Sequence, residues 1–490
     1  FSAGRFPYYR VAACRAPAVS PAPAIEAPAF SFRNPPLSSP LRTYQEALDF
    51  LFEFVDYEKV NKFKYDIETF NLSRVEALMD AVGSPQRRFP AIHIAGTKGK
   101  GSTATMTRRI LGAAGKKAGL YTQPHLTDLT ERSTVDGRPI SRQALVDIVN
   151  EMKPYVERLR QSKPYESPTF FDLATTIAFC HCARENVDFG VIEVGLGGRL
   201  DSTNVCRPVV CGISLVDYDH VERLGHTLDK IAFEKAGIIK PGVPVAVWPQ
   251  QPEAMAVIER VAAERAAPLI RVGRDVAAEN VSEDPGLAPM LRFSIRGRLA
   301  RYPGLAVPIL GLRQATNAAL AVAMLECLAE QGKLDLTPEI VARGLAQTRL
   351  PARMELVSLS PLILLDGAHN VISMRSVCET VARRFAGRRI ILIFGVARDK
   401  DVPGVLQLAM PLASEILLTK SDSPRAASPA DLLDQCRAMG YRQAKAFEAP
   451  EDALAAARAL AGPEDVILIT GSFYLAGKLR PLLVKDEPAG

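Results

Sequence analysis

The sequence predicts an α/β protein with two sheets, a large, mostly parallel one before Pro351 and a smaller one after it. Three observations predict this. Short apolar runs alternate with segments of helical period, the pattern of a parallel sheet covered on both faces. The alternation lapses over residues 276–310, where Pro and Gly interrupt it, and an Ala-rich helix follows. It then restarts for about 135 residues, the size of one domain.

Residues 1–41 hold eight of the 36 prolines, many Ala and Ser, and no amphipathic period. Such a segment buries too little apolar surface to offset its ordering entropy, so a disordered leader is expected. Its composition, rich in Arg and poor in acids, also fits an organelle transit peptide. Its prolines oppose an amphipathic helix, and a non-targeting extension on a cytoplasmic protein fits as well. Helices are predicted over 44–55 and 72–81, then a strand over 91–95. Further strands are expected over 117–121, 189–194, 209–215, 243–247 and 269–272. The helices between them are 102–114, 141–159, 170–184, 228–236 and 253–266. Residues 276–310 read as irregular or β-rich, and 314–330 as a helix. The second series has strands at 362–365, 389–394, 415–419, 443–447 and 466–470, with helices over 374–385, 402–410, 429–439 and 450–460. The domains are therefore 1–41, 42–351 and 352–490, and the cleft between the last two is the default ligand site. No internal repeat appears.

Composition excludes several classes. The net charge of +6 comes from 60 Lys and Arg against 54 Asp and Glu. Of this, Arg5, Arg10, Arg15 and Arg33 against Glu26 place +3 in residues 1–40, leaving +3 for the rest. That balance does not suggest a nucleic-acid partner. No apolar run reaches the roughly 18 residues of a membrane span. The eight cysteines form no C-x-x-C pair, so reduced core thiols are expected. Cys180, His181 and Cys182 are adjacent on a helix and cannot converge on one metal ion.

Four motifs carry chemistry. The strand 91–95 runs into Gly96-Thr97-Lys98-Gly99-Lys100-Gly101-Ser102 and a helix, the context of a phosphate-binding loop. Glycines let backbone amides approach phosphate, the helix N-terminus adds its dipole, Lys100 supplies charge and Ser102 reaches a magnesium ion. It is not a strict Walker A, which would need Gly at Ile94 and no Gly101 between Lys100 and Ser102. A second Gly-rich turn follows Glu193, a carboxylate at a strand's carboxyl end and a natural ligand for the magnesium of ATP. Read alone, it also fits an ordinary tight turn. Next come Asp217-Tyr218-Asp219-His220 and Lys235. His220 fits a second metal ligand and equally a structural histidine, while His226 reads as solvated. In the second series, Asp366-Gly367-Ala368-His369-Asn370 and Gly395 to Asp401 end two strands, suggesting adjacent polar edges facing the cleft. Solvated loops are the plainer alternative.

Eleven motifs stand in the order of the folylpolyglutamate synthase and dihydrofolate synthase family, within the Mur ligase superfamily, and the chain resembles that family from Tyr44 to Leu483. They are Phe63-Lys64-Tyr65-Asp66, the 96–102 loop, Pro124-His125-Leu126 with Glu131-Arg132, Thr169-Phe170-Phe171-Asp172, Glu193 to Asp201, Asp219-His220, Glu234 to Gly237, Asn317-Ala318-Ala319, Arg353-Met354-Glu355, Asp366 to Asn370, and Gly471-Ser472-Phe473. The resemblance implies a P-loop-type ATPase domain and a smaller Rossmann-like α/β C-terminal domain.

It implies that Thr97, Lys98, Gly99, Lys100, Gly101 and Ser102 hold the ATP phosphates, Asn317 touches the adenine side, and Arg353 and Asp366 reach ATP from the domain boundary and the second domain. Glu193 and His220 would each ligate one of two Mg2+ ions, with Ser102 and Gln123 beside them. Lys235 matches a lysine carried as a carbamate. Thr169, Phe170, Phe171, Asp172, Leu200, Asp201 and Ser202 would line the pterin pocket, and His369 would lie near the glutamate site. Lys100, His220, Lys235 and His369 are the expected catalytic residues. Three positions depart from the family: Gln123 replaces the usual Ser, Asp172 the usual Glu, and Val371 the usual Pro.

The implied reaction transfers the γ-phosphoryl of ATP to a folate or dihydropteroate carboxylate. The L-glutamate amine then attacks and phosphate leaves. Positioning and charge neutralisation dominate, with no protein nucleophile and with closure of the second domain. The partners are these small molecules, with no nucleic acid or membrane, and the family implies a monomer. Two other readings stand beside this one. A cell-wall ligase would carry an α/β domain of about 100 residues before the loop, where two helices are read. A P-loop switch ATPase would leave Glu193, His220, Lys235 and the second series unexplained.

Overall fold

A computed structural model describes residues 39–56, 72–162 and 167–484. The leader up to residue 38 and the Phe63-Lys64-Tyr65-Asp66 motif lie outside the described residues. Leu41, placed in the leader by composition, instead exchanges two hydrogen bonds with Asn150, at 2.8 and 2.9 Å.

Helices α1 (Tyr44–Phe52) and α2 (Leu72–Ala81) precede the alternating series. This runs β1 (Ala91–Ala95), α3 (Lys100–Ala113), β2 (Ala118–Tyr121), β3 (Ser133–Val135), β4 (Arg138–Pro139), α4 (Arg142–Ser162), α5 (Phe170–Arg184) and β5 (Phe189–Glu193). It continues with β6 (Pro208–Ile213), α6 (Val221–Leu224), α7 (Leu228–Ala236), β7 (Val245–Val247), α8 (Pro252–Glu264) and β8 (Leu269–Arg271). The eight strands lie in the order β4-β3-β2-β5-β1-β6-β7-β8. From β2 to β8 every pairing is parallel. β1 is buried throughout because its two faces meet different layers. Ile92 and Ile94 pack under α3 and α9 (Arg313–Glu330), while Ala95 faces the side of α7 and α8. Each fully buried Ile contributes roughly 1.5–3 kcal/mol.

The 276–310 stretch is β-rich: β9 (Ala277–Glu283), β10 (Leu291–Arg296) and β11 (Arg301–Val307) form an antiparallel sheet. It rests on α9 through Glu326, a fully buried carboxylate that accepts from Tyr302 Oη at 3.0 Å and from the amides of Arg298 and Leu299. Helix α10 (Pro338–Ala346) then leads to the second series.

That series comprises β12 (Glu355–Leu359), β13 (Leu362–Leu365), α11 (Val371–Arg384), β14 (Ile390–Phe394), α12 (Val402–Ala409) and β15 (Glu415–Leu418), followed by α13 (Pro429–Ala438), β16 (Lys445–Ala446), α14 (Pro450–Leu460), β17 (Val466–Thr470) and α15 (Phe473–Leu479). The order is β12-β13-β17-β14-β15-β16, parallel except for β12. The polar ends of β13 and β14 are thus not adjacent. β17 lies between them and brings Gly471-Ser472-Phe473 to the same edge. Among the described residues no helix is long and apolar enough to cross a membrane, and seven cysteines are free thiols, six of them buried.

Candidate functional site

The site is built outward from the carboxyl end of β1. Gly96 turns the chain at φ 143°, where a Cβ would collide with Ser214 Oγ. The amides of Thr97 and Lys98 donate to Leu215 O at 2.7 and 3.2 Å, and Thr97 Oγ1 bonds both the carbonyl and the amide of Asp217. Gly99 (φ 91°) is the N-cap of α3, and its missing side chain leaves room for Asn317 Oδ1. No side chain caps α3, and its first turn holds no acid. Its amino end keeps amide donors and a positive dipole end for an anion.

Two lysines converge beside it. Lys100 Nζ and Lys235 Nζ, from the last turn of α7, donate to the same carbonyl, Gly96 O, at 3.1 and 3.0 Å. Burial, then Lys100, pushes the Lys235 amine down to about 7. Burial also lowers Lys100, against the pull of Glu193. Glu193 ends β5 with 4 % exposure, accepts from the Gln123 amide at 3.2 Å, and is raised by burial against the attraction of Lys100 and Arg353. A Cβ on Gly101 would stand 3.2 Å from Glu193 Oε2 and 3.3 Å from Arg353 Nη2, which places both charges over the loop. Arg353 in turn lies over the Phe473 ring, 4.8 Å from its centroid.

Across the cleft, Asp219 receives Lys98 Nζ at 3.0 Å and Asn370 Nδ2 at 3.1 Å on one oxygen. Burial would raise its carboxyl, but Lys98, His220 and His369 outweigh that and hold it well below the usual carboxylate range. His220 adopts a left-handed backbone (φ 51°), which sets its ring, 36 % exposed, on the cleft wall. Desolvation, with Lys400, Arg223 and Lys235 nearby, lowers it against the pull of Asp219. His369 Nδ1 lies 2.8 Å from Gly367 O. A carbonyl only accepts, so Nδ1 carries the proton and Nε2 keeps its lone pair. Burial, then Lys98, holds His369 near 4, hence neutral at pH 7. Asp366 accepts from the amides of Met354 and Ala368 at 2.8 and 2.7 Å, and burial raises it to about 6.

The expected pterin residues divide. Thr169 and Asp172 form a capping box that starts α5, and Asp172 also accepts from Ser202 Oγ at 2.6 Å and Arg74 Nε at 3.2 Å. Phe171 lies 6.5 Å from the Tyr121 ring and fills the space over Gly195. Phe170 points the other way, 1 % exposed in the core, stacked on Phe52 and beneath Arg132. Asp201 bonds the amides of Gly195, Leu196 and Thr203, so its oxygens organise the turn, and Leu200 is buried beside it.

Among the described residues no cluster of three His, Cys, Asp or Glu side chains is arranged to hold a metal. Magnesium needs none, because one carboxylate plus phosphate oxygens and water suffices. Glu193 fits that role: its carboxylate is buried against the loop, with one backbone donor. A cavity of about 710 Å3 lined by Pro208, Pro244, Leu269 and Arg298 lies at the amino ends of β6, β7 and β8, away from all of these groups. Sequence reasoning missed the bridging by Asp219 and the nearness of Lys400, whose amine is lowered by burial against the pull of Asp219. The available signal was their position just past strand ends.

Residues 94–325 match the family described as Mur ligase middle domain, and residues 352–473 that described as Mur ligase, glutamate ligase domain. The chain is 36% identical over 413 residues to a dihydrofolate synthase/folylpolyglutamate synthase of Bacillus subtilis, covering 84% of this chain and 94% of that protein. It is 34% identical over 426 residues to a folylpolyglutamate synthase of Lacticaseibacillus casei, covering 87% and 97%. Among solved structures, the Mycobacterium tuberculosis folylpolyglutamate synthase complexed with ADP superposes with a TM-score of 0.82 at 31% identity, covering 90% of this chain and 98% of that one. A folylpolyglutamate synthase complex with AMPPCP and folate gives 0.76 at 32% identity, covering 90% and 100%.

Proposed function

The chain belongs to the folylpolyglutamate synthase/dihydrofolate synthase family of Mur ligases, and from that premise we propose how its residues perform ligation. The enzyme is an ATP-dependent ligase that joins L-glutamate to a folate through a C–N bond. One observation carries the site assignment: the uncapped end of α3, with Lys100 and the buried Glu193 beside it, is an anion cradle with a cation-seeking carboxylate at its rim.

Thr97 to Ser102 and Lys100 bind the ATP phosphates, with Arg353 and Asp366 closing over them. Asn317, packed against Gly99, holds the loop next to the nucleotide. Glu193, with Ser102 and Gln123, would hold one magnesium ion, and His220 with modified Lys235 a second. Bound there, magnesium supplies neutralisation of phosphate charge and polarisation of the γ-phosphoryl group. Lys235 becomes a carbamate by attack of its neutral amine on CO2 with loss of a proton, and the depressed basicity supports this because it leaves free amine near pH 7. Phe171, Asp172 and Ser202 orient the pterin.

The folate-side carboxylate attacks the γ-phosphorus and ADP leaves, giving an acyl phosphate. The glutamate amine then attacks the acyl carbon, and phosphate leaves and takes up the amine's proton, while the neutral His369 Nε2 accepts a hydrogen bond that orients the amine. Closure of the cleft excludes water from the anhydride. We take a folate as the acceptor and dihydropteroate as a further one, since a relative covered nearly end to end is named for both activities, in a cytoplasmic monomer. Phosphate release and product mass, measured with each acceptor, test this. Phosphate release that needs neither glutamate nor a pterin acceptor would overturn it.

A further inference from the structure

One carboxylate oxygen ties the phosphate loop to the second sheet. Asp219 stands in the segment after β6, and its Oδ2 receives both Lys98 Nζ of the loop and Asn370 Nδ2 at the start of α11. Both bonds are dictated locally. Asn370 Oδ1 caps α11 by accepting from the Ser373 amide at 3.0 Å, so its amide nitrogen must point outward as a donor. Asp219 Oδ1 accepts from the amide of His220 at 3.1 Å, which turns Oδ2 toward the cleft. The Asp219 side chain is only 16 % exposed. The contact joins residues 151 positions apart, from the two α/β layers that must meet over the nucleotide.

We propose that Asp219 is a positioning residue that couples nucleotide binding at the loop to the seating of the glutamate ligase domain, with Asn370 as its partner. Phosphates entering the loop draw on Lys98, and Asp219, released in part from that lysine, bonds Asn370 more strongly. ATP thereby tightens the wall on which glutamate binds. The proposal rests on the ligase reading only for its substrates.

The test is an exchange of the two side chains. Asn370→Asp keeps the helix cap, because Asp caps as well as Asn, but it sets two carboxylates against each other. Asp219→Asn in that background restores a donor–acceptor pair in the opposite sense. Asn370→Asp should raise the KM for glutamate about tenfold, within the range of coupling inside one hydrogen-bond network. The Kd for a non-hydrolysable ATP analogue alone should stay within about twofold. The double variant should regain most of the loss. Amide hydrogen exchange over residues 366–374 gives a readout that needs no ligation. Protection induced by the analogue should be present in the wild type, lost in Asn370→Asp and regained in the double variant. An unimpaired Asn370→Asp, or a double variant no better than the single one, overturns the coupling. Intact protection changes in an enzyme that ligates no folate would overturn the substrate reading and leave the coupling standing.

Discussion

Replacing Lys235 by Met should stabilise the unliganded protein while abolishing ligation. The Lys235 amine falls from 10.5 to about 7 chiefly because it is buried, with Lys100 adding repulsion. At 1.36 kcal/mol per tenfold change in acidity, that gap opposes folding by roughly 4–5 kcal/mol when both states are charged. The pH window follows from the direction of the change. Below pH 7 the folded and unfolded chains both hold the proton, and the full cost applies. Between 7 and 10.5 the unfolded chain keeps the proton and the folded chain has lost it, so stability rises by up to about 1.4 kcal/mol per pH unit. Above 10.5 the cost is gone.

Met has a similar length and no charge, and Gly96 O keeps Lys100 Nζ as its donor. The lost hydrogen bond costs about 1 kcal/mol, so the net gain is about 3 kcal/mol. With roughly 0.9 kcal/mol/K of unfolding entropy for the about 430 described residues, this corresponds to about 3 °C in Tm. The assay is thermal unfolding at pH 7 and pH 9 in CO2-free buffer, repeated with bicarbonate. The variant should melt higher at pH 7 and its advantage should shrink by pH 9. Bicarbonate should raise the wild type alone. A variant that melts no higher than wild type at pH 7, or an advantage that does not vary with pH, would refute the reasoning.

Lys100→Ala and His220→Ala should each lower ATP- and glutamate-dependent folate elongation by at least about a hundredfold, as expected for loss of preorganised charge; near-normal turnover in either rejects its assigned role. Gly96→Ala should cost about 2 kcal/mol or more and reduce soluble yield, since its Cβ meets Ser214 Oγ at a strained φ. A melting temperature within error of wild type would show that the loop yields easily. Asp172→Glu pushes one methylene toward Ser202 and should shift the KM for the pterin substrate by about tenfold with the glutamate KM unchanged. Steady-state kinetics with each substrate varied would sink this idea if both constants moved together.

The parallel strands were legible because burial on both faces makes each a short apolar run bounded by turn residues. Predicted strands 362–365 and 466–470 coincide with β13 and β17, and 170–184 with α5. The antiparallel edges were not. β4 is Arg138–Pro139 and β12 is half-buried with a polar Ser358, so neither shows the apolar run that marks a central strand. Helix α15 was passed over because it begins directly behind a strand motif, whereas α10 was readable from the Thr337 cap, Pro338 in its first turn and the helical spacing of Ile340, Val341 and Leu345. The Thr169-Phe170-Phe171-Asp172 motif assigned two rings to one pocket, yet neighbours on a helix diverge by about 100°. Phe170 therefore went to the core and Phe171 to the space over Gly195.

The site was legible for a different reason. In an open α/β sheet the carboxyl ends of the strands meet at one edge, so charged residues placed just past apolar runs are gathered by topology alone. Glu193 ends a strand and Lys100, His220 and Asp366 follow one, although Glu193 gained its meaning only beside the 96–102 loop and His220 read equally as a structural histidine. Asp219 meets the same positional criterion, but its role depends on Asn370, whose orientation is set by a helix cap on the other sheet. Pairing across 151 residues has no local trace, because each half is already explained by its own turn. It follows that residues coupling the two bodies will be under-read in any sequence of this architecture. They are found by asking which polar groups at strand ends still have a bonding direction unused after their local turn is satisfied.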